Sequence, residues 1–260
     1  MKPVLTRKFF LSAGEVDAEG RMALPLLTSK IIDIATAHAN SIGIGNPDMK
    51  ELGMGWVLSR IVIEMKTFPR VNEEYALSTW IENWNRHFSV RNFMISDSTG
   101  KPCGYASSVW MVLNWNKREN AGTSHLHLDP SLILGETVPI ARIGKHRTIV
   151  EPGNEIHNGA LMANAPSKSY TFGYSDLDFY RHVNTVRYVS MLLNCFTLDE
   201  MDSSEVERLE MSFMREGRYG ESVTLHIHED GLQTSFALSD TADGTPLFSA
   251  FLSRRATAFS

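Results

Sequence analysis

At 260 residues and 29.2 kDa, the chain has room for one large domain or two modest ones. Hydrophobic residues at 43%, charged residues at 21% and aromatics at 10% describe an ordinary folded chain and exclude collagen-like, coiled-coil and disordered readings. The net charge of −5 is uneven: 14 Lys and Arg face 13 Asp and Glu up to Gly135, and 11 face 17 from Glu136 onward, so neither half is basic enough for generic nucleic-acid binding.

In chain order, the segment from Met1 to Lys8 lacks the long apolar core of a signal peptide. No window approaches eighteen uninterrupted apolar residues, so a cytoplasmic protein without a membrane span is expected. A first strand is predicted from near Phe9. Leu27, Ile31, Ile34, Ala35 and His38 then recur at helical spacing, which predicts a helix over about residues 26–41, closed by Gly43. Alternating strands follow over residues 57–65 and 75–80, joined through Phe68, Pro69 and Arg70. A hairpin joins residues 93–97 to 105–113 across an Asp/Gly/Pro turn.

The second half repeats this order. Val186, Val189, Ser190 and Leu193 predict a helix over about residues 184–197, preceded by a short strand. The acidic run Asp199, Glu200, Asp202, Glu205, Glu207 and Glu210 reads as a solvated loop and helix-end face. Strands over residues 206–213 and 222–227 are joined through Arg218 and Tyr219. A hairpin then runs from Phe236 to Ser253, and its Phe-Ala-Leu-Ser-Asp arm echoes the Phe-Met-Ile-Ser-Asp arm of the first half. One helix per antiparallel sheet, stated twice, is an α+β layer architecture. The expected domains are residues 1–135 and 167–260. Residues 136–166, punctuated by Pro139, Pro152 and Pro166, form the linker.

Gly55-Trp-Val-Leu-Ser-Arg60, the segment from Trp80 to Asn92, Ala106-Ser-Ser-Val-Trp110 with Asn114, and above all Tyr174-Ser-Asp-Leu-Asp-Phe-Tyr-Arg-His-Val-Asn-Thr-Val-Arg-Tyr188 resemble the acyl-ACP thioesterases of plants and bacteria. The similarity runs from about Phe10 to Leu252. It implies two tandem hot-dog domains, each an antiparallel sheet wrapped around one long helix. It also implies hydrolysis of fatty acyl thioesters on acyl carrier protein in fatty acid biosynthesis, with the acyl chain housed mainly in the N-terminal domain and the catalytic residues in the C-terminal one.

The resemblance also implies site residues. Its pattern of Asp-x-Asn-x-His before the helix, with a Glu on the following strand, places Asp178, His182 and Glu216 here, with Tyr180 at the position of the asparagine. Some family members have a cysteine directly after that glutamate, where this chain has Gly217. Neither Cys103 nor Cys195 lies beside a recognisable base, and no Gly-x-Ser-x-Gly elbow occurs, so a covalent nucleophile is not expected. The expected chemistry is general-base activation of water by Glu216, with His182 and Asp178 positioning it. Asn184 reads as a helix N-cap, and the backbone amides around Val183 and Asn184 are the expected oxyanion donors.

Trp56, Met54 and Trp110, alongside Trp80, Met65 and Met111, are candidates for shaping the acyl pocket, although strand-core packing explains the same residues, and His38, on the first helix, is either a core-edge residue or a contact near the acyl tunnel. Acyl carrier protein is acidic, so docking is expected at Arg181, Arg187, Arg142, Lys145 and Arg147. The pairs His125-x-His127 and His226-x-His228 lack a completing ligand set, and no metal or other cofactor is expected. Two hot dogs in one chain can pair with each other, which leaves a monomer or a homodimer open. The alternatives are a hot-dog thioesterase acting on acyl-CoA and a non-catalytic acyl-binding protein; such regulators usually carry a DNA-binding segment, which is not seen here.

Overall fold

The structure is a computed structural model that describes residues 2–50, 53–117, 119–142, 149–151, 154–156 and 166–257. The chain divides into two compact units, Met1–Arg142 and Ile143–Ser260. Each combines an antiparallel sheet with a helix on one of its faces, the α+β arrangement expected of a hot-dog domain.

In the N-terminal unit, β1 (Val4–Phe10) leads through a single 3-10 turn into α1 (Leu24–Ser41) and α2 (Asn46–Lys50). The strands β2 (Met54–Met65), β3 (Glu74–Trp84), β4 (Ser89–Asp97) and β5 (Pro102–Asn114) follow, with β6 (Glu119–Asn120) paired to the end of β5. Their order in the sheet is β1-β3-β4-β5-β2. Pro25 fits the first turn of α1, where its missing N–H has no partner to lose. One face of α1 is buried through Leu27, Ile31, Ile34, Ala35 and His38. Each of these Leu and Ile side chains contributes about 1.5–3 kcal/mol by leaving water. A second cluster gathers Ile42, Ile44, Met49, Ile81 and Val112 around Leu126 and Leu132, so the proline-punctuated stretch after β6 packs into this unit as far as Val138.

The C-terminal unit contains the hairpin β7 (Ile149–Glu151) and β8 (Asn154–Ile156), then β9 (Ser167–Thr171), α3 (Thr185–Leu193) and α4 (Leu198–Asp202). Strands β10 (Ser204–Phe213), β11 (Ser222–Asp230), β12 (Gln233–Asp240) and β13 (Pro246–Ala256) complete it, in the order β10-β13-β12-β11-β9. Tyr188 of α3 stacks on Phe248 at 5.0 Å and meets Phe213 edge-on at 5.6 Å, which fixes the start of the helix on the sheet.

Two expectations need correction here. The predicted 184–197 helix stops at Leu193 because Thr197 caps a new helix, exchanging hydrogen bonds with Glu200 in a capping box. The acidic run is not one solvated face: Asp199, Glu200 and Asp202 lie in α4, whereas Glu210 is buried on β10 with its carboxylate 2.7 Å from Arg208 Nε.

Candidate active site

The residues that carry the resemblance lie on the loop between β9 and α3. Phe172 and Gly173 lead into a 3-10 turn, Tyr174–Asp176, and the chain then folds back on itself. Asp178 organises that fold. Its Oδ1 accepts hydrogen bonds from the amides of Tyr180 (2.9 Å) and His182 (3.0 Å), while its own N–H donates to the His182 carbonyl at 2.8 Å. Arg181 takes the left-handed conformation, φ 64°, at the apex.

Asp176, which sequence reasoning missed, locks the loop from inside. Its buried carboxylate accepts from the Gly173 amide at 2.7 Å and the Tyr170 hydroxyl at 2.9 Å, and Arg187 lies 3.8 Å away. Its carbonyl accepts the Asn184 amide at 2.8 Å. The turn between β10 and β11 closes over this loop. Gly217 accepts the Val183 amide at 2.9 Å through its carbonyl, and His182 and Arg218 form an antiparallel bridge. A Cβ on Gly217 would lie 2.7–2.9 Å from the Tyr188 hydroxyl, Phe172 and Val183, so any side chain here requires these neighbours to shift.

The bridge sets His182 Nε2 3.1 Å from Glu216 Oε2, with both side chains partly open to solvent. Arg218 Nη2 stands 3.9 Å from the same oxygen. A carboxylate held against an imidazole at the mouth of a loop, within reach of water, can accept a proton from an attacking water molecule. Tyr180, two residues before His182, is exposed with its ring against Phe179 at 3.9 Å; burial first, then the Asp178 charge, raises its phenol above the ordinary tyrosine range.

The expected oxyanion donors are not available. The amides of His182, Val183 and Asn184 are all committed, to Asp178, Gly217 and Asp176 in turn. Asn184 does cap α3, accepting the Val186 amide on Oδ1 at 3.0 Å, and its carbonyl takes the Arg187 amide at 2.9 Å. Thr185 is the one residue from 182 to 187 whose amide has no partner among the described residues.

Both thiols are pushed above the usual cysteine range by burial, Cys103 on β5 and Cys195 after α3, which disfavours a thiolate at either. Among the described residues no cluster of three His, Cys, Asp or Glu is positioned to hold a metal.

In the N-terminal unit, Trp56 donates through Nε1 to the Ile44 carbonyl at 2.7 Å and packs with Met54 on the second core cluster. Trp110 donates to Ser108 Oγ at 2.7 Å. His38 is fully engaged: Arg91 Nη1 lies 2.6 Å from its Nδ1, and its Nε2 lies 3.1 Å from the Lys2 carbonyl. Its two ring nitrogens are thus both engaged within the buried core of the N-terminal unit. Of the expected docking residues, Arg181 is exposed, Arg187 holds the Ser175 carbonyl at 3.0 Å, and Arg142 is ion-paired with Glu82. Lys145 and Arg147 lie outside the described residues.

Residues 2–123 match the family model of the acyl-ACP thioesterase N-terminal domain, and residues 159–249 match that of the C-terminal domain. The chain belongs to the acyl-ACP thioesterase family. Its curated relatives within that family include the chloroplastic palmitoyl-acyl carrier protein thioesterase of Gossypium hirsutum, 24% identical over 82% of this chain and 52% of the relative. Another is the chloroplastic oleoyl-acyl carrier protein thioesterase of Coriandrum sativum, 23% identical over 83% of this chain and 60% of the relative. The chain thus spans only about half to three-fifths of the length of these acyl-ACP thioesterases.

Among solved structures of the family, an acyl-ACP thioesterase from Bacteroides thetaiotaomicron superposes with a TM-score of 0.84 at 27% identity, covering 97% of this chain and 98% of that one. The 12:0-ACP thioesterase of Umbellularia californica shares the fold at a TM-score of 0.76 and 18% identity, covering 99% of both chains. These likenesses establish tandem hot-dog domains as the fold. Among the described residues no helix is long and apolar enough to cross a membrane.

Proposed function

We propose that this acyl-ACP thioesterase family member hydrolyses fatty acyl thioesters on acyl carrier protein, releasing free fatty acid and the carrier's thiol. The observation that carries the reading is the 3.1 Å approach of His182 Nε2 to Glu216 Oε2, between two chain segments tied together by backbone hydrogen bonds. Glu216 takes a proton from water as its oxygen adds to the acyl carbonyl carbon. The tetrahedral intermediate then collapses, breaking the carbon–sulfur bond and expelling the thiolate, which takes up the proton. His182 fixes the carboxylate, and Asp178 holds His182 through the backbone. With the neighbouring amides committed, the Thr185 amide at the positive end of α3 is the donor we assign to the developing oxyanion.

The substrate class rests on family membership and on the names of the relatives. In this reading the acyl chain occupies the N-terminal hot dog near Met54, Trp56 and Trp110, in a domain ending near residue 135. The reading keeps the sequence-based expectations of a cytoplasmic protein and of a monomer or homodimer. The test is release of free fatty acid from acyl-ACP and acyl-CoA of matched chain lengths. Faster turnover of acyl-ACP is expected, and faster turnover of acyl-CoA across the whole series contradicts the assignment.

A further inference from the structure

The β9–α3 loop has a copy in the N-terminal unit, built on the same backbone bonds. Asp17 Oδ1 accepts from Glu19 (3.1 Å) and Arg21 (2.8 Å), Gly20 takes the left-handed turn at φ 70°, and the Met22 amide donates to Pro69 at 2.8 Å. The two copies differ in what they expose. Where the first has Ala13, Ala18 and Val71, the second has Tyr174, Phe179 and Tyr219, which are 87%, 78% and 69% exposed. Where the first has Gly20, the second has Arg181, although the left-handed backbone disfavours a side chain by roughly 1 kcal/mol or more.

The fold requires none of these four residues, since the first loop is built without them. Exposed apolar side chains gathered at one place and rimmed by charged residues mark an interaction site. They stand on segments tied to one another: the Gly220 amide, next to Tyr219, donates to the Phe172 carbonyl, two residues before Tyr174, at 2.9 Å, and Phe179 lies within the Asp178–His182 fold, whose Val183 amide donates to Gly217 at 2.9 Å. Arg181 is exposed and makes no ion pair among the described residues, and Arg218 is half-exposed at the rim of the His182–Glu216 pair.

We infer that Tyr174, Phe179, Arg181, Arg218 and Tyr219 form the docking surface for the acidic carrier protein that delivers the thioester. The inference rests on the acyl-ACP reading above. Two arginines answer the partner's negative charge, and the aromatic rings supply the apolar anchors that dominate small interfaces. Arg218, whose Nη2 stands 3.9 Å from Glu216 Oε2, joins this surface to the His182–Glu216 pair.

The test replaces the surface with the residues the first loop already uses: Tyr174→Ala, Phe179→Ala and Tyr219→Val together. KM and kcat are read on acyl-ACP and on an acyl-N-acetylcysteamine thioester of the same chain length. A rise in KM for acyl-ACP of about tenfold or more, with turnover of the small thioester within about twofold of the parent, supports the inference. Equal losses on both substrates, or an unchanged KM for acyl-ACP, overturn it. Arg181→Gly, which suits the left-handed backbone, is the second variant; it should raise KM for acyl-ACP and flatten its dependence on salt, and an unchanged salt dependence counts against docking. If sedimentation shows a dimer in the parent and a monomer in the triple variant, the surface is instead a contact between copies of this chain. Failure of the acyl-ACP reading is seen separately, in a parent enzyme that prefers acyl-CoA.

Discussion

Arg21 and His182 occupy the same place in two copies of one loop. Each follows an aspartate by four residues and a left-handed residue by one, and each bridges to an arginine on the opposite turn, Arg70 or Arg218. Arg21 is buried, with its guanidinium 2.8 Å from Glu19 and 3.3 Å from Asp17, and Phe68 stands where the second unit has Glu216. The loop is therefore a device of the fold, and the His182–Glu216 pair is what the C-terminal copy adds to it.

Removing the organising carboxylate from each copy separates these roles. Asp178→Ala and Asp17→Ala each lose two side-chain-to-amide hydrogen bonds, about 1–2 kcal/mol, or a few degrees in Tm for a chain of this size, and Asp17→Ala loses more because it also takes a carboxylate from the buried Arg21 guanidinium. Only Asp178→Ala is expected to slow hydrolysis, because only there does the loop carry His182. Thermal melts and initial rates on both variants check this, and an equal loss of rate in Asp17→Ala contradicts it.

Gly217→Ala should destabilise the protein by about 1–3 kcal/mol, since the added methyl meets Tyr188, Phe172 and Val183. Gly217→Cys should lose at least as much, because its Cβ meets the same three side chains and carries a sulfur as well. Denaturant midpoints of the two variants decide it.

The repeat of strand, helix and hairpin was legible in the sequence because alternation and helical spacing survive in both halves. Asp178, His182 and Glu216 were legible only through the family pattern, since isolated carboxylates and histidines look like any surface charge. The loop copy was readable in principle: Asp17 to Arg21 and Asp178 to His182 have the same spacing, but Gly20 against Arg181 hides the shared turn. Asp176 was missed because its partners are the Gly173 amide and the Tyr170 hydroxyl at the end of the preceding strand, a pairing that neither helical nor strand spacing signals. The oxyanion expectation failed for a related reason. A helix start predicts unpaired amides in general, but the carbonyls of Asp176 and Gly217 reach these particular ones through tertiary folding.

His38 ties stability to pH. Burial, reinforced by the Arg91 charge and opposed by the Lys2 carbonyl, lowers its pKa to about 4 from an ordinary value of 6.5. The folded protein holds it neutral while the unfolded chain protonates it, so its contribution is fully present above about pH 6.5 and is lost as pH falls toward 4, on the order of 3 kcal/mol in all. Urea midpoints measured across this range should fall more steeply for the parent than for His38→Gln. Parallel curves contradict the assignment.

Tyr180→Phe tests whether the phenol has taken over from an amide at that position. With the oxyanion assigned to the Thr185 amide, the variant should keep most of the parental rate. A loss on the order of 10²–10³-fold, the usual scale for one oxyanion donor, moves that role to the Tyr180 hydroxyl.

The rate of Glu216→Gln on acyl-ACP tests the central claim most directly. The amide keeps the size and polarity of the side chain and can still face His182, but it cannot take a proton from water. A fall of about 10²–10⁴-fold in kcat, with KM and Tm close to those of the parent, is the predicted result. Near-parental turnover in Glu216→Gln, with hydrolysis abolished in His182→Ala, contradicts it and assigns the base to His182.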